Sequence, residues 1–489
     1  MVADAEAPPP RLPIKLSPCS NGEFSPPPPS AVVRETIRRA HDAAEVNARR
    51  LGVSRRQFLA GLCGSAVTLA TLAACAADDR AARGDGAPGG TFDLPPEATT
   101  DPSAAADVLT GDEFIMDVQH HLLEYDPAFG TADAPLFGGG FPQADCGEAD
   151  RRDCFSIERY LDLVFLSSDT SLAVLSAVPI VAEDSPLSIE VMEETRRLLT
   201  AVCGDDRLLV HGQAFPSVGA PEDALDRMRE TAAAHDLAAW KLYTHSPFEA
   251  GFFLDDHDPT APQVGEDYIR TVADLGPPII CVHKGFSSGS RFASPVDIGP
   301  AAAAHPDVAF VVYHSGFESD HREGRYRPGD RRGVDRLIGS VADAGIGPGA
   351  NVYAELGSTW RLVMADPDAA AHVLGKLLVA FGEDNVVWGT DSIWYGSPQD
   401  QIEAFRAFSI SEEYQERFGY PALTAERKGK ILGLNSARLY GVDPLVVPCE
   451  FSREDLRAER ALRPIDPGLL GPATAQAFAA HVRAHGGIA

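Results

Sequence analysis

The sequence of 489 residues has few cysteines and few basic side chains, and both shortages exclude classes of protein. Its 8 cysteines contain no CxxC pair, so neither a zinc ribbon nor a disulfide scaffold is indicated. The 42 basic residues are outnumbered by 71 acidic ones, and the net charge of -29 argues against nucleic acid or anionic lipid surfaces as partners. We therefore expect a globular chain whose negative charge favours solubility. Only Cys146 and Cys154 lie close together, and they could pair if the protein is exported.

Long apolar runs are also scarce, and the clearest one lies near the start of the chain. Arg55 and Arg56 stand in a Ser-Arg-Arg-x-Phe-Leu frame before an uncharged, small-residue stretch from Leu59 to Ala74. This pattern resembles a twin-arginine export signal, and its Leu-Ala-Ala-Cys end resembles a lipobox that would acylate Cys75. The stretch is too short and too rich in Ala and Gly for a comfortable membrane span. The alternative is an ordinary amphipathic or core helix.

A Gly-rich phosphate loop is missing after the first strand-like run, which argues against a doubly wound nucleotide-binding sheet. Eight short apolar runs rich in β-branched residues are instead separated by segments of helical period, several of them opened by Ser, Pro or Asp. Strands that alternate with helices eight times over about 330 residues favour an α/β fold, the (β/α)8 TIM barrel.

These features divide the chain into five regions. We expect a disordered leader over 1–53, the twin-arginine signal with its lipobox over 54–75, a flexible linker over 76–111, the barrel over 112–443 and a C-terminal helical extension over 444–489. Export would place the protein in the periplasm or on the outer face of the cytoplasmic membrane, attached only through the signal segment or a lipidated Cys75. The extension should form two helices that pack on the barrel or on a neighbouring subunit, which leaves a homodimer open.

In a TIM barrel the catalytic groups lie at the C-terminal ends of the strands. The polar residues at such ends are Gln119, His121, His283, His314 and Asp391. Because side chains two positions apart share a face of a strand, Gln119 and His121 should point into the mouth with Asp117, and His120 should face the outer helix layer. Buried singly, each polar group would need its own partner, whereas one shared metal would satisfy them together.

The segments MDVQHH, CVHKG, VVYHSGF, VWGTDS and ILGLNSARLYG resemble the amidohydrolase superfamily, in the branch of aminocarboxymuconate semialdehyde decarboxylase and related hydrolases. The resemblance covers residues 112–442. It implies a divalent metal, Zn²⁺ first, with His121, His283 and Asp391 as ligands. It also implies that His314 is the inner histidine, which polarises the substrate or carries protons.

The chain departs from this family at Gln119, which stands where the first histidine of the Asp-x-His-x-His element is expected. A glutamine oxygen is neutral and harder than imidazole, so it binds zinc more weakly. Three interpretations follow. Gln119 is either a weak fourth metal ligand or a residue that contacts a ligand without binding the metal; the ion is a harder one such as Mn²⁺ or Mg²⁺; or the site works without metal.

Lys241 ends the fourth strand-like run, where some amidohydrolases carry a carbamylated lysine between two metals. The alternatives are a lysine that pairs with a buried carboxylate and a catalytic lysine that holds a substrate oxygen. In the latter case a neighbour such as Glu355 would keep the ammonium charged.

The resemblance implies hydrolysis of an ester, lactone or amide bond in a small molecule. Asp391 would take the proton of a metal-activated water while His314 acts on the substrate oxygen. Decarboxylation at the same centre is the alternative, and a non-catalytic binding lipoprotein is a further one. The three residues expected at 283, 314 and 391 are all present, which favours an enzyme over a decayed site.

The substrate is indicated only weakly. The loop after the sixth run contains Arg322, Arg325 and Arg327. Guanidinium groups suit a carboxylate-bearing substrate, unless they pair with acidic residues of the same loop. The residues that could form an apolar wall beside the site are Trp360, Trp394 and Tyr395.

Overall fold

The computed structural model describes residues 11–125, 144, 146–148, 152–180, 185–245, 251–286, 290–445 and 449–463. Its strands are β1 (Gly90–Phe92), β2 (Met116–His120), β3 (Leu172–Leu175), β4 (Leu208–Gln213), β5 (Ala239–Tyr243), β6 (Ile279–His283), β7 (Ala309–Tyr313), β8 (Val352–Glu355), β9 (Val386–Val387) and β10 (Phe408–Ile410). Strands β2 to β9 form one sheet in chain order, and every pair in it is parallel.

The first and last strands of this sheet approach each other and close it. Asp391 N donates to Gln119 O at 3.0 Å, and His121 N donates to Ser392 O at 2.7 Å. Eight parallel strands joined in this way confirm the predicted TIM barrel. The same two hydrogen bonds fix the backbone of residues 119, 121 and 391, which the sequence places at the mouth.

Helices separate each barrel strand from the next and form the outer layer. The helices are α1 (Ala31–Leu51), α2 (Arg55–Leu59), α3 (Leu62–Arg83), α4 (Pro102–Leu109), α5 (Ile157–Leu161), α6 (Ile189–Cys203), α7 (Pro221–Ala234), α8 (Gly265–Leu275), α9 (Ile298–Ala304), α10 (Asp335–Asp343), α11 (Thr359–Val363), α12 (Pro367–Phe381), α13 (Gln399–Ala407), α14 (Glu412–Phe418), α15 (Ala425–Gly429), α16 (Asn435–Tyr440) and α17 (Arg453–Leu462). The predicted helix in REDLRAERALRP is α17; the second helix of the extension falls on residues outside the described ranges.

The barrel interior below the mouth is mostly apolar, with the buried Lys241 above the ring of Tyr313 as an exception. The fully buried residues of this cluster are Met116, Val118, Val174, Ala239, Cys281, Val311, Tyr313 and Val387. Large branched and aromatic side chains in stacked layers fill the inside of such a barrel, so the polar strand ends rest on a packed floor.

Residues 11–109 correct the expectation of a disordered leader and a flexible linker. Helix α1 packs against α3, and β1 pairs with β10 antiparallel. The buried face of α1 carries Val33, Ala40, Ala44 and Ala48 at helical spacing. Small residues at this period let two helices approach closely, and the Pro-rich and charged surroundings hide the pattern in the sequence.

The predicted export signal forms helices α2 and α3. Ser54 caps α2 just before the two arginines, and Cys75 lies buried within α3. By length and composition α3 could cross a membrane, but 56% of its most apolar window is buried inside the protein. The described structure therefore has the packed helix of the alternative interpretation, and export and lipidation stay predictions.

Two disulfides are present among the described residues. Cys146 pairs with Cys154, as the sequence allowed. Cys203 at the end of α6 pairs with Cys449 before α17, across a separation of 246 residues. The second bond was missed because nothing in the sequence links cysteines so far apart.

Candidate active site

The ends of β2, β6, β7 and β9 line one cavity at the mouth of the barrel. Its described lining consists of Asn21, Glu23, Gln119, His121, Val178, Pro179, Tyr243, His283, His314, Asp391 and Trp394. The predicted residues at 119, 121, 283, 314 and 391 thus share one cavity, whereas Lys241 is not among its described lining residues. Only about 10 Å³ remains open to the centre of a water-sized particle, which is room for about one water or ion.

Two histidines are held in the orientation of metal ligands. His121 Nδ1 lies 2.7 Å from Ser176 O, and His314 Nδ1 lies 2.7 Å from Gly357 O. Because a carbonyl only accepts, each Nδ1 carries the hydrogen, and Nε2 presents a lone pair to the cavity. Burial lowers the pKa of His121 and lowers the pKa of His314 to about 4, so both rings are neutral at pH 7.

His283 also has its hydrogen at Nδ1, but this atom donates to another histidine instead of to a backbone carbonyl. Its Nδ1 lies 3.2 Å from His314 Nε2, which is an acceptor, so His283 Nδ1 is the donor. The lone pair of His283 is therefore at Nε2, a buried atom without a hydrogen-bond partner among the described residues. Glu23 Oε1 lies 3.4 Å from this atom. Burial lowers the pKa of His283 well below its ordinary value.

Asp391 is the most heavily contacted carboxylate of the site. It accepts hydrogen bonds from Ser358 Oγ at 2.6 Å, Asn21 Nδ2 at 2.9 Å and Gln119 Nε2 at 3.1 Å, and its Oδ1 lies 3.4 Å from His121 Nε2. Burial would raise its pKa, but the contacts with His121 and Ser358 outweigh burial and hold the pKa well below the ordinary value. Asp391 is therefore ionised at pH 7.

The backbone around these residues is unusual. Four positions with positive φ that are not glycine lie at the strand ends of the site: His314 at 64°, Ser315 at 51°, Ser358 at 55° and Asp391 at 59°. Such conformations cost energy and persist where the surrounding structure imposes them, most often at functional sites.

The donor set fits a divalent cation. Two ligands of one tetrahedral zinc ion lie roughly 3.4 Å apart for bonds of about 2.0–2.2 Å. His121 Nε2 and Asp391 Oδ1 are separated by 3.4 Å, as are His283 Nε2 and Glu23 Oε1. A lone pair and a carboxylate oxygen repel at this distance unless a proton or a cation lies between them. Gln119 Oε1 is also buried without a partner among the described residues.

The three described residues whose potential ligand atoms all lie within 4.8 Å of one another are Glu23, His283 and His314. A candidate metal site is therefore present. The residues whose potential ligand atoms lie closest together thus differ from the expected set of His121, His283 and Asp391. All members of both sets line the same cavity. That set, with Gln119 as a fourth ligand, stays a prediction.

Asp117 does not line the cavity, contrary to the expectation from strand alternation. The pairing of β2 with β3 shifts register between Asp117 and His120, which breaks the strict alternation of faces. Asp117 instead accepts hydrogen bonds from the backbone of Thr390 and contacts His120 Nε2 at 2.8 Å. His120 also contacts Tyr160 OH at 3.0 Å, so it is a buried histidine of the helix layer, as expected.

Lys241 is fully buried, but it does not form the expected ion pair with Glu355. Its Nζ lies 3.5 Å above the ring of Tyr313 and has no hydrogen-bond partner among the described residues. Burial lowers the pKa of Lys241 to about 8, against the attraction of nearby carboxylates. Glu355 accepts from the backbone of His314 at 2.8 Å and Gly357 at 2.5 Å, and burial raises its pKa to about 8.

The loop arginines do not line the cavity in the described structure. Arg322 pairs with Asp366 at 2.7 Å rather than with acidic residues of its own loop. These side chains therefore do not support the prediction of a carboxylate-bearing substrate.

Of the three aromatic residues, Trp394 alone lines the cavity, with its ring 5.9 Å from that of His121. Trp360 is buried and donates to Gln401 O, and the hydroxyl of Tyr395 contacts Ser358 Oγ at 2.7 Å.

Besides the lining residues Val178, Pro179 and Tyr243, sequence reasoning missed three polar residues of the site: Asn21, Glu23 and Ser358. Ser358 follows β8 in the segment LGSTW, so its position at a strand end could have marked it. The other two lie in the region predicted to be disordered, where no strand or motif identifies them. Asn21 Nδ2 bridges Glu23 Oε2 at 2.7 Å and Asp391 Oδ2 at 2.9 Å.

Comparison with known proteins places the barrel in a family. The sequence model described as Amidohydrolase matches residues 116–442. No curated protein matches the chain.

Solved structures similar to this chain include the following three. A 2,6-dihydroxybenzoate decarboxylase from Rhizobium is 14% identical, with 68% of this chain and 99% of that chain covered and a TM-score of 0.38. A 5-carboxyvanillate decarboxylase from Novosphingobium aromaticivorans, complexed with manganese and a nitrobenzoic acid, is 14% identical, with 68% and 99% covered and a TM-score of 0.39. An uncharacterised TIM-barrel protein from Bordetella bronchiseptica is 15% identical, with 67% and 99% covered and a TM-score of 0.41. At these values the likeness does not extend to the reaction.

Proposed function

The chain belongs to the amidohydrolase family, and we propose that its barrel mouth binds a divalent metal ion and hydrolyses an ester, lactone or amide bond of a small molecule. One observation carries this proposal. The neutral Nε2 of His121 faces the ionised Asp391 at 3.4 Å inside a buried cavity. Two acceptors repel at this distance unless a proton or a cation lies between them, and the separation is that of two ligands of one ion.

The residues that would hold the ion are His121, His283 and Asp391, with Gln119 Oε1 as a weak further donor. Zn²⁺ suits the imidazole nitrogens, and Mn²⁺ suits the oxygen donors. When bound, such an ion polarises a carbonyl group and lowers the pKa of water. Ser176 O orients His121, which keeps its lone pair aimed into the cavity.

Asp391 and His314 would move the protons. Asp391 is ionised and can take the proton of the attacking water. His314 is neutral, and its one N–H is held by Gly357 O. It must therefore release the hydrogen bond from His283 and take up a proton at Nε2 before it can donate to a substrate oxygen, and in this role it would act as a proton shuttle. Trp394 lines the cavity beside His121, with the two ring centroids 5.9 Å apart.

The proposal is tested by metal analysis of the purified protein and by hydrolysis assays on a panel of lactones, esters and amides. We expect close to one divalent ion per chain, turnover that is lost with a chelator and restored by Zn²⁺ or Mn²⁺, and loss of turnover in Asp391→Asn. The control is Asp226→Asn, which removes the same charge from an exposed position of α7. Metal-free protein with full activity would refute the proposal.

The same experiment separates the other functions. Release of CO2 from aromatic or unsaturated carboxylic acids, without hydrolysis of the panel, would identify a decarboxylase instead. Bound metal with no turnover of either kind would favour a binding protein.

We also propose export by the twin-arginine route. Arg55, which is partly exposed, and Arg56, which is exposed, begin α2. The two disulfides suit an oxidising compartment. Fractionation of cells that express the full chain should find it outside the cytoplasm. Replacing Arg55 and Arg56 by lysine should retain it inside, and equal distribution of both forms would refute export.

A further inference from the structure

The N-terminal residues 11–24 are docked on the mouth of the barrel. Lys15 Nζ contacts Asp400 Oδ1 at 2.7 Å and donates to Ser397 O at 2.6 Å. Phe24 stacks on Phe286 with ring centroids 4.9 Å apart. These contacts hold the intervening residues against the site from both sides.

Glu23 is the carboxyl side chain that this segment brings into the cavity. Its Oε1 lies 3.4 Å from His283 Nε2, the atom that carries the lone pair. Its ligand atom lies within 4.8 Å of those of both His283 and His314. Asn21 Nδ2 donates to the other oxygen, Oε2, at 2.7 Å, and so orients the carboxylate.

The barrel alone has one strong donor fewer than its family pattern, because Gln119 stands in place of a histidine. The amide nitrogen of Gln119 is engaged by Asp391 at 3.1 Å, and only its neutral oxygen is left for an ion. A carboxylate binds divalent ions better than an amide oxygen and adds negative charge.

We propose that Glu23 is a ligand of the metal ion and supplies the donor that Gln119 does not. The site is thus completed by a residue that precedes the barrel by more than ninety positions in the sequence. This inference rests on the proposed function, since it assigns a further ligand to the same ion.

The docked segment also lines the cavity, through Asn21 and Glu23. With residues 11–24 in place, the remaining space of about 10 Å³ admits about one ion or water. Processing just before Cys75 would remove Glu23, and the processed form should bind metal more weakly than the full chain.

The test compares metal affinity, measured by competition with a chromogenic chelator, for the full chain and for Glu23→Gln. Glutamine has nearly the same shape and can still donate a hydrogen bond to His283, so docking is preserved while the charged ligand is lost. We expect affinity for Zn²⁺ to fall by at least about tenfold. Replacing residues that only hydrogen-bond to metal ligands already reduces metal affinity by about 10–100-fold. The matched control is Glu45→Gln on the exposed side of α1, which should bind as the full chain does.

A second pair of variants links Glu23 to Gln119. Gln119→His restores the family ligand, so it should recover the affinity that Glu23→Gln loses when the two are combined. Unchanged affinity in Glu23→Gln, with metal bound by the full chain, would overturn the role of Glu23 and leave the proposed function intact. A full chain that binds no metal would instead refute the proposed function. Melting temperatures and circular dichroism of all variants show whether each one is folded.

Discussion

The two ends of the barrel interior differ sharply in chemistry. Below the mouth the enclosed side chains are mostly apolar and fully buried, with Met116 and Val311 as examples and Lys241 as an exception. At the mouth the equally buried side chains are His121, His283 and Asp391, whose pKa values are displaced from their ordinary values. Burial stabilises the first set and is unfavourable for the second. Stability and chemistry are therefore carried by different ends of the same strands, and mutations should separate them.

The largest effect is expected at the mouth. His283→Ala removes a lone pair that faces the cavity, and we expect turnover to fall by about a thousandfold, or roughly 4 kcal/mol in barrier height. The melting temperature should change little, because the substitution also removes two nitrogen atoms whose burial is unfavourable. Steady-state kinetics and differential scanning calorimetry on the same preparation check this split. Equal losses of stability and turnover would contradict it.

The reverse split is expected below the mouth. Met116→Ala leaves a cavity among fully buried side chains, and it should lower the free energy of unfolding by about 2–5 kcal/mol. Turnover per folded molecule should stay within about twofold of the parent, which is well below 1 kcal/mol in barrier height. Urea denaturation gives the first value, and active-site titration with the metal gives the folded fraction. A variant that is stable but inactive would remove the distinction between the two ends.

Gly389 lies at the junction of the two ends. A Cβ there would be 1.7 Å from Glu355 Oε1, the carboxylate that holds the backbone of His314. Gly389→Ala should therefore destabilise the fold by about 1–3 kcal/mol and also reduce turnover. Gly347→Ala is the control, since a Cβ at that position meets no atom within 4 Å. If both alanines behave alike, Glu355 does not support the site.

The smallest effect is expected for Lys241. The pKa of Lys241 is about 8 in the folded chain, below its ordinary value of 10.5, so its burial is unfavourable while it is charged. Between pH 8 and 10.5 the unfolded chain binds more protons than the folded one, and stability should rise with pH in that window. Lys241→Met should lack this rise and be more stable at pH 7 by about 1 kcal/mol. Chemical denaturation at several pH values measures it, and a variant less stable than the parent would contradict the assignment.

The alternation of strands and helices was predictable because the barrel strands are short apolar runs and the helices keep their period. The cavity positions of His121, His283, His314 and Asp391 were predictable because each lies at or shortly after the end of a strand, and parallel strands end at one side of a barrel. The turn of Asp117 away from the mouth was not, since a register shift inside a five-residue strand leaves no trace in composition.

The N-terminal region shows why other features of the structure could not be predicted from the sequence. The small-residue face of α1 was present in the sequence, at Ala40, Ala44 and Ala48, but Pro-rich and charged neighbours concealed it. The contact of Asn21 with Asp391 joins residues 370 positions apart. Local patterns report which elements form, whereas contacts at this separation depend on how the finished elements meet.

Crystals of the full chain grown with Mn²⁺ test the central claim most directly. The anomalous scattering of the ion should give one peak in the mouth of the barrel, within about 2.4 Å of ligand atoms of His121, His283 and Asp391. An empty mouth at saturating Mn²⁺, or an ion bound only elsewhere on the molecule, would contradict a metal-dependent active site at the strand ends.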